Sequence, residues 1–271
     1  MESLDQMEFD TLISVIRETR GIDFSDYAMS SLRRRFIRFM TMNNLGDPAE
    51  LAWKIRYDNA YADYFVKEIT VNVTEMFRDP SFWSLLRDNI LPDLINYPVI
   101  RIWHAACSTG QEVYSMAILL NELGVLHKAR IMATDINSNV LKTAQKGIFR
   151  LNHQELNLKN YNSFGGKKEL DEYYTVSGSE VVYDPQLISN VEFRIHDLAR
   201  DRAFSKFDLI LCRNVMIYFN FRLQERVLDI FRESLDKGAY LGIGSKESIE
   251  WCKSSRYFQT VSQEEKIYRK L

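Results

Sequence analysis

The stretch Val99-Ile-Arg-Ile-Trp-His-Ala-Ala-Cys-Ser-Thr-Gly-Gln-Glu-Val-Tyr-Ser-Met-Ala-Ile-Leu-Leu120 decides the fold. An alternating, β-branched run from Val99 to Ala105 breaks at Ser108-Thr-Gly110, and Tyr114, Ala117, Ile118 and Leu120 then recur at helical spacing. That order predicts strand, turn and helix. In an open α/β sheet such a turn lies at the carboxyl end of a strand, where ligands bind. It holds one glycine, so it is not the G-x-G-x-x-G dinucleotide loop, and taken alone it reads equally well as an ordinary connection. A second unit follows. Ala129-Arg-Ile-Met-Ala-Thr-Asp135 predicts a strand ending in an acid, and Ile136-Asn-Ser-Asn-Val-Leu141 opens another helix. An acid in that place can accept both ribose hydroxyls of a nucleoside, or it can cap the helix behind it.

With 271 residues and 46% hydrophobic content, the chain can bury a full core in one large or two small domains. No apolar run approaches the roughly 18 residues of a membrane span, and Met1-Glu-Ser-Leu-Asp-Gln6 has neither a basic start nor an apolar signal core, so a soluble cytoplasmic protein is expected. Cys107, Cys212 and Cys252 are odd in number and widely spaced, which reads as reduced thiols. His104, His127, His153 and His196 lack metal-ligand spacing, so no metal is expected. A net charge of −2 argues against a nucleic-acid-coating protein.

The first 70 or so residues read as helical. Phe9, Leu12, Ile13 and Ile16 mark one amphipathic helix ending before Gly21, and Leu32, Phe36, Ile37, Phe39 and Met40 mark a second. Asp47-Pro48-Ala-Glu50 predicts a third start from an N-cap, a first-turn proline and a capping-box acid, and Asp79-Pro80 repeats the signal. Strands and helices then alternate, implying a mostly parallel sheet with helices on both faces. Between Gly147 and Asn190 the helical pattern fades, and Tyr173–Val176 and Val181–Tyr183 read as a hairpin in an inserted β subdomain. Ala239–Ile243, Phe258–Val261 and Lys266–Tyr268 predict a strand and a hairpin that closes the sheet.

Four motifs in order carry a family resemblance: Thr70-Val-Asn-Val-Thr-Glu-Met-Phe-Arg-Asp79, Ala105-Ala-Cys-Ser-Thr-Gly-Gln-Glu-Val-Tyr-Ser115, Ala133-Thr-Asp-Ile136 and Asp208-Leu-Ile-Leu-Cys-Arg-Asn-Val-Met-Ile-Tyr-Phe219. Together they resemble the CheR chemotaxis methyltransferases along essentially the whole chain. The resemblance implies a Rossmann-like class I methyltransferase sheet, an all-helical N-terminal substrate-docking domain over residues 1–78, and a methyltransferase domain over 79–271 with a small antiparallel β insertion at about 148–190. It also implies methyl transfer from S-adenosylmethionine to glutamate carboxylates of chemoreceptors, leaving S-adenosylhomocysteine. The expected partner is the cytoplasmic helical domain of a receptor, with a receptor tail at the β subdomain, and the protein is expected to be monomeric, without nucleic acid or membrane insertion. By motif position, cofactor contacts fall on Asn72, Thr74, Arg78, Glu112, Asp135, Asp197, Leu198, Arg213 and Asn214.

Three departures bear on substrate rather than cofactor. The usual paired acids after the turn glycine are Gln111-Glu112, Val113 replaces a common proline, and the usual Gly-His-Ser-Glu is Gly244-Ser-Lys-Glu247. A CheR-like enzyme of another signalling system, or a non-catalytic cofactor sensor, therefore stands as an alternative. Nucleic-acid amino methyltransferases are disfavoured: their Pro-Pro motif is missing and Asn214-Val-Met-Ile-Tyr218 carries an extra spacing residue.

The resemblance makes Arg78 and Tyr218 the catalytic pair. Arg78 can pair with the incoming carboxylate, and Tyr218 can offer a hydrogen bond and an aromatic wall to a sulfonium. Without it they read as a helix-end ion pair and a core tyrosine. Arg33, Arg34, Arg35 and Arg38 form a basic stretch on the second helix, either a solvated face or a docking surface for an acidic substrate helix.

Overall fold

A computed structural model describes residues 4–70 and 74–271; Asn72, assigned above to the cofactor, lies outside the described residues. The chain forms two compact units, one gathering residues up to 70 with Ile217–Arg226, the other residues 74–216 with 227–271.

The first unit holds helices α1 (Gln6–Arg20), α2 (Met29–Met42), α3 (Pro48–Tyr57) and α4 (Asn59–Ile69). Asp5 and Glu8 close a capping box at the start of α1, and Gly21 ends it in the left-handed region at φ 69°. Asp47 caps α3 as expected, accepting from Ala49 N at 2.8 Å, while Glu50 pairs with Lys54 at 3.1 Å. Phe9, Phe36, Phe65 and Phe39 fill the core edge to face, with centroids 4.8–5.2 Å apart. The returning segment is fixed to α2's approach: Ala28 N donates to Tyr218 O at 2.8 Å, and Phe219 packs edge-on against Tyr27.

The second unit is a seven-stranded sheet in the order β6-β2-β1-β7-β8-β10-β9. Its strands are β1 (Ile100–Ala105), β2 (Ala129–Asp135), β6 (Val191–Ile195), β7 (Phe207–Cys212), β8 (Leu235–Ile243), β9 (Phe258–Ser262) and β10 (Ile267–Lys270). The first five are parallel, and β10 joins β8 antiparallel and carries β9, as the C-terminal hairpin pattern predicts. Central β7 is buried at every position because both sheet faces are covered, so after Asp208 its sequence runs apolar instead of alternating. Helix α7 (Gln111–Glu122) is likewise buried from Val113 to Leu120.

The helix expected after Asp79-Pro80 runs as α5 (Pro80–Leu85), a wide turn Leu86–Ile90 and α6 (Leu91–Leu94). Leu91 N reaches back to Leu86 O one residue before Pro92, whose missing N–H and bulky ring interrupt the regular ladder. Asp79 is not the side-chain cap that the sequence suggests: it sits at φ 56° and its side chain makes no cap hydrogen bond.

The insertion departs from a bare hairpin. After helix α8 (Ser138–Lys146), β3 (Ile148–Arg150) pairs with β5 (Glu180–Tyr183), which pairs with β4 (Tyr174–Ser177), all antiparallel. Helix α9 (Gln154–Phe164) lies within it, where the sequence shows no helical pattern, because its inward face includes the buried Asn157 and Asn160. Helix α10 (Phe221–Ser234) precedes β8.

Candidate functional site

The sheet's strand order reverses direction at β1: the chain goes outward through β2 to β6, then crosses to β7 on the other side. Ligand crevices form at the carboxyl ends of the strands flanking such a switch. Behind β1 the backbone is left-handed at Ala106, Ser108 and Gly110, with φ of 59°, 52° and 96°. A Cβ at Gly110 would stand 2.7 Å from Ala144 Cβ, so only glycine admits α8 this close.

Asp135 ends β2 beside this turn. One oxygen accepts from Ser108 N at 2.9 Å and the other from Asn137 N at 3.0 Å. It is not the cap of α8, since Asn137 accepts from Asn139 N in that role. Burial pushes the Asp135 carboxyl above its usual range, against the pull of the Asn137, Ser108 and Ile136 N–H groups. His196 N donates to Asp135 O at 3.2 Å, which brings the end of β6, and with it Asp197 and Leu198, alongside. Burial raises Asp197 too, although Ala199 N–H and Arg200 draw it down.

Glu112, in the first turn of α7, belongs to a buried ion network. Its Oε1 accepts from His104 Nδ1 at 2.8 Å and its Oε2 from Arg213 at 3.3 Å. Burial is the largest influence and pushes this carboxyl up, but His104 and Arg213 together carry it below the usual range. Arg213, whose side chain is 2% exposed, also donates to Asp79 Oδ2 at 2.7 Å and to Arg78 O at 2.9 Å, and its guanidinium lies 4.0 Å over the Phe82 ring. One arginine thus ties the end of β7, the start of α7 and the loop before α5, and Glu112 carries the network on to His104 of β1.

That loop is held from several sides. Met76 N donates to Asn157 Oδ1 and Met76 O accepts from Asn160, both at 3.0 Å; Phe77 N donates to Ser115 Oγ at 2.9 Å; Trp83 Nε1 donates to Arg78 O at 3.0 Å. Thr74 and the Arg78 side chain are half-buried, and Arg78 lies 4.0 Å from Glu75. The structure therefore gathers Glu112, Arg213, Arg78 and Asp79 in one network and Asp135, Asp197 and Leu198 at the neighbouring strand ends. The contacts that His104, Asp79, Ser108, Asn157 and Asn160 make here escape a reading by sequence. Only the i, i+3 spacing of the two asparagines hints at a shared face.

Tyr218 and the four arginines belong to the first unit. The arginines divide. Arg34 and Arg38 are exposed, whereas Arg33 bonds Gln6 and lies 5.0 Å over Phe9. Arg35 donates to Ile69 O and lies 4.5 Å over the Tyr218 ring; burial, its largest influence, lowers its pKa. Among the described residues no helix is long and apolar enough to cross a membrane.

A family model described as CheR methyltransferase, SAM binding domain, matches residues 72–267, and one described as CheR methyltransferase, all-alpha domain, matches residues 7–70. A Pseudomonas putida protein named putative methyltransferase Cher3 is 38% identical over 264 residues, 97% of each chain. A Listeria innocua chemotaxis protein methyltransferase is 31% identical over 87% of each chain. A Borreliella burgdorferi protein of the same name is 30% identical over 94% of this chain and 93% of its own.

Proposed function

The chain belongs to the CheR methyltransferase family, with a matched S-adenosylmethionine-binding domain, and from that premise we propose that it converts glutamate side chains of chemoreceptors into methyl esters. The observation that carries the reading is the pair of acids Asp135 and Glu112 around the left-handed turn at the carboxyl end of β1. The donor set fits the cofactor. The Asp135 oxygens take backbone N–H groups from Ser108, Asn137 and Ile136, still leaving acceptor capacity among their lone pairs for a ribose diol, and Glu112 adds negative charge suited to a cationic ligand. Asp197 and Leu198 stand where an adenine edge would lie, with Thr74, Arg78 and Asn214 completing the contacts and Arg213 holding Glu112 in place. When bound, S-adenosylmethionine supplies a methyl group on a cationic sulfonium.

A glutamate carboxylate, with an ordinary pKa near 4.3, is already an anion at neutral pH and needs no general base. The protein's task is alignment at about 3–3.5 Å between reacting atoms and exclusion of water. We assign Arg78 to orienting the incoming carboxylate and Tyr218 to a hydrogen bond and aromatic wall at the transfer step. Too firm a grip by Arg78 would quench the nucleophile, so orientation outweighs activation. Arg34 and Arg38 are the docking candidates for an acidic receptor helix, on a substrate-docking domain of residues 1–78. A receptor tail at the β insertion, a monomeric state and a cytoplasmic location complete the proposal.

The test is transfer of a labelled methyl group to receptor-containing membranes, followed by base treatment. Base-labile label on receptor glutamates is expected. Cofactor binding without transfer to any receptor would point to the non-catalytic sensor, and label on a different protein to another signalling system.

A further inference from the structure

Glu247 carries an acidic side chain that is only 5% exposed, in the loop after β8. Its Oε2 accepts two backbone N–H groups, from Asn214 at 3.0 Å and from Gly244 at 2.6 Å. The two donors follow adjacent parallel strands: Cys212 of β7 pairs with Ile243 of β8, and the ladder stops there. One carboxylate oxygen thus continues the joining of the two strands past their last pair. Glu247 N closes the loop by donating to Gly244 O at 2.9 Å.

The clamp bears on a strained position. Asn214 stands at φ 62°, a left-handed region that L residues adopt at a cost and that asparagine tolerates best after glycine. Gly244 is needed for the approach. A Cβ there would lie 2.8 Å from each of Asn214 N, Asn214 Nδ2 and Glu247 Oε2. The two hydrogen bonds to Glu247 and the absent side chain together hold the Arg213-Asn214 turn at the carboxyl edge of the sheet, where Arg213 carries the network to Glu112.

We infer that Glu247 is a positioning residue that fixes Asn214, and through it Arg213, for cofactor binding and transfer. The inference rests on the proposed assignment of Asn214 to the cofactor. Lys246, where the family has a different residue, is exposed, so the departure in this motif falls on the outside of the loop while the clamping acid is retained.

The experiment compares Glu247→Gln, Glu247→Ala and Gly244→Ala. Amide resonances of Asn214 and Gly244 are followed in the cofactor-free protein, and S-adenosylmethionine affinity and turnover at saturating receptor are measured beside them. Glu247→Ala moves both amides upfield, weakens cofactor binding about tenfold and lowers turnover about 10²-fold, the scale of a misplacement near 1 Å, with the Michaelis constant for receptor unchanged. Glu247→Gln keeps an acceptor oxygen and restores both quantities to within a few-fold. Gly244→Ala reproduces the loss with the carboxylate still present, and serves if Glu247→Ala does not fold. Wild-type affinity and turnover in Glu247→Ala, or equal damage from Glu247→Gln, overturns the inference. If the amides respond as expected but the wild-type protein neither binds S-adenosylmethionine nor transfers methyl, the positioning clamp stands and the proposed function falls.

Discussion

Replacing Arg213 by methionine removes the charge at the centre of the ion network while keeping an apolar stem over Phe82. Three acceptors lose their donor: Asp79 at 2.7 Å, Arg78 O at 2.9 Å and Glu112 at 3.3 Å. They do not lose equally. The Asp79 side chain is 33% exposed and can regain water, and Arg78 O retains Trp83 Nε1. Glu112 is 17% exposed and is left with His104 alone. Breaking a buried pair costs about 3–5 kcal/mol, and the two rescued acceptors place this case at the low end, near 3 kcal/mol. For a unit of this size that is a fall of about 6–12 °C in Tm. Scanning calorimetry and urea unfolding measure it. Arg213→Lys, which keeps a point charge without the fork, should lose about half as much. Adding Glu112→Gln to Arg213→Met should cost less than the sum of the single changes, because the buried carboxylate is no longer stranded. A loss below about 1 kcal/mol, the range of exposed pairs, would refute the network's role in holding these elements together.

Asp135 titrates above the ordinary aspartate value of about 3.9 because it is buried, so affinity for S-adenosylmethionine should begin to fall above that value as pH is lowered; calorimetry across a pH series checks it. Glu112 shifts the other way: its contribution to stability is present above the ordinary glutamate value near 4.3 and is lost as pH falls through its lowered folded value, an acid limb that Glu112→Gln should remove from the melting curve. Tyr218→Phe should lower single-turnover rates more than it weakens cofactor binding, and full turnover would leave the ring as a wall only. Arg34→Glu with Arg38→Glu should raise the Michaelis constant for receptor and flatten its salt dependence while leaving cofactor affinity intact; wild-type efficiency would make these arginines a solvated face.

The parts of the fold governed by local chemistry were legible. The run from Val99 to Leu120 gave β1, its turn and α7, because apolar period and a single glycine suffice there. Asp47-Pro48 and Asp79-Pro80 show where such reasoning stops. The dipeptides are identical, yet Asp47 caps its helix and Asp79 turns left-handed to meet an arginine 134 residues away. Helix α9 was hidden because its buried face carries Gln154 and two asparagines that bond a distant loop, with only Tyr161 and Phe164 apolar at its end, so the hydrophobic period is weak. The acids Asp135 and Glu112 could be picked out by position, but their opposite pKa directions depend on what burial places beside them. The split of the four arginines was equally invisible, since neighbours on one helix differ only in what the rest of the unit puts against them.

The return of Ile217–Arg226 to the first unit has a bearing on modularity. The helical unit is not a cassette that can be cut from the chain at one joint. A fragment ending at residue 70 lacks the Phe219 ring against Tyr27, the Tyr218 carbonyl that accepts from Ala28 N, and the Asn220 amide that bonds Asp26. Recombining such units between relatives therefore requires exchanging two separated stretches together. Tyr218, proposed to meet the methyl group, travels with the helical unit rather than with the seven-stranded sheet.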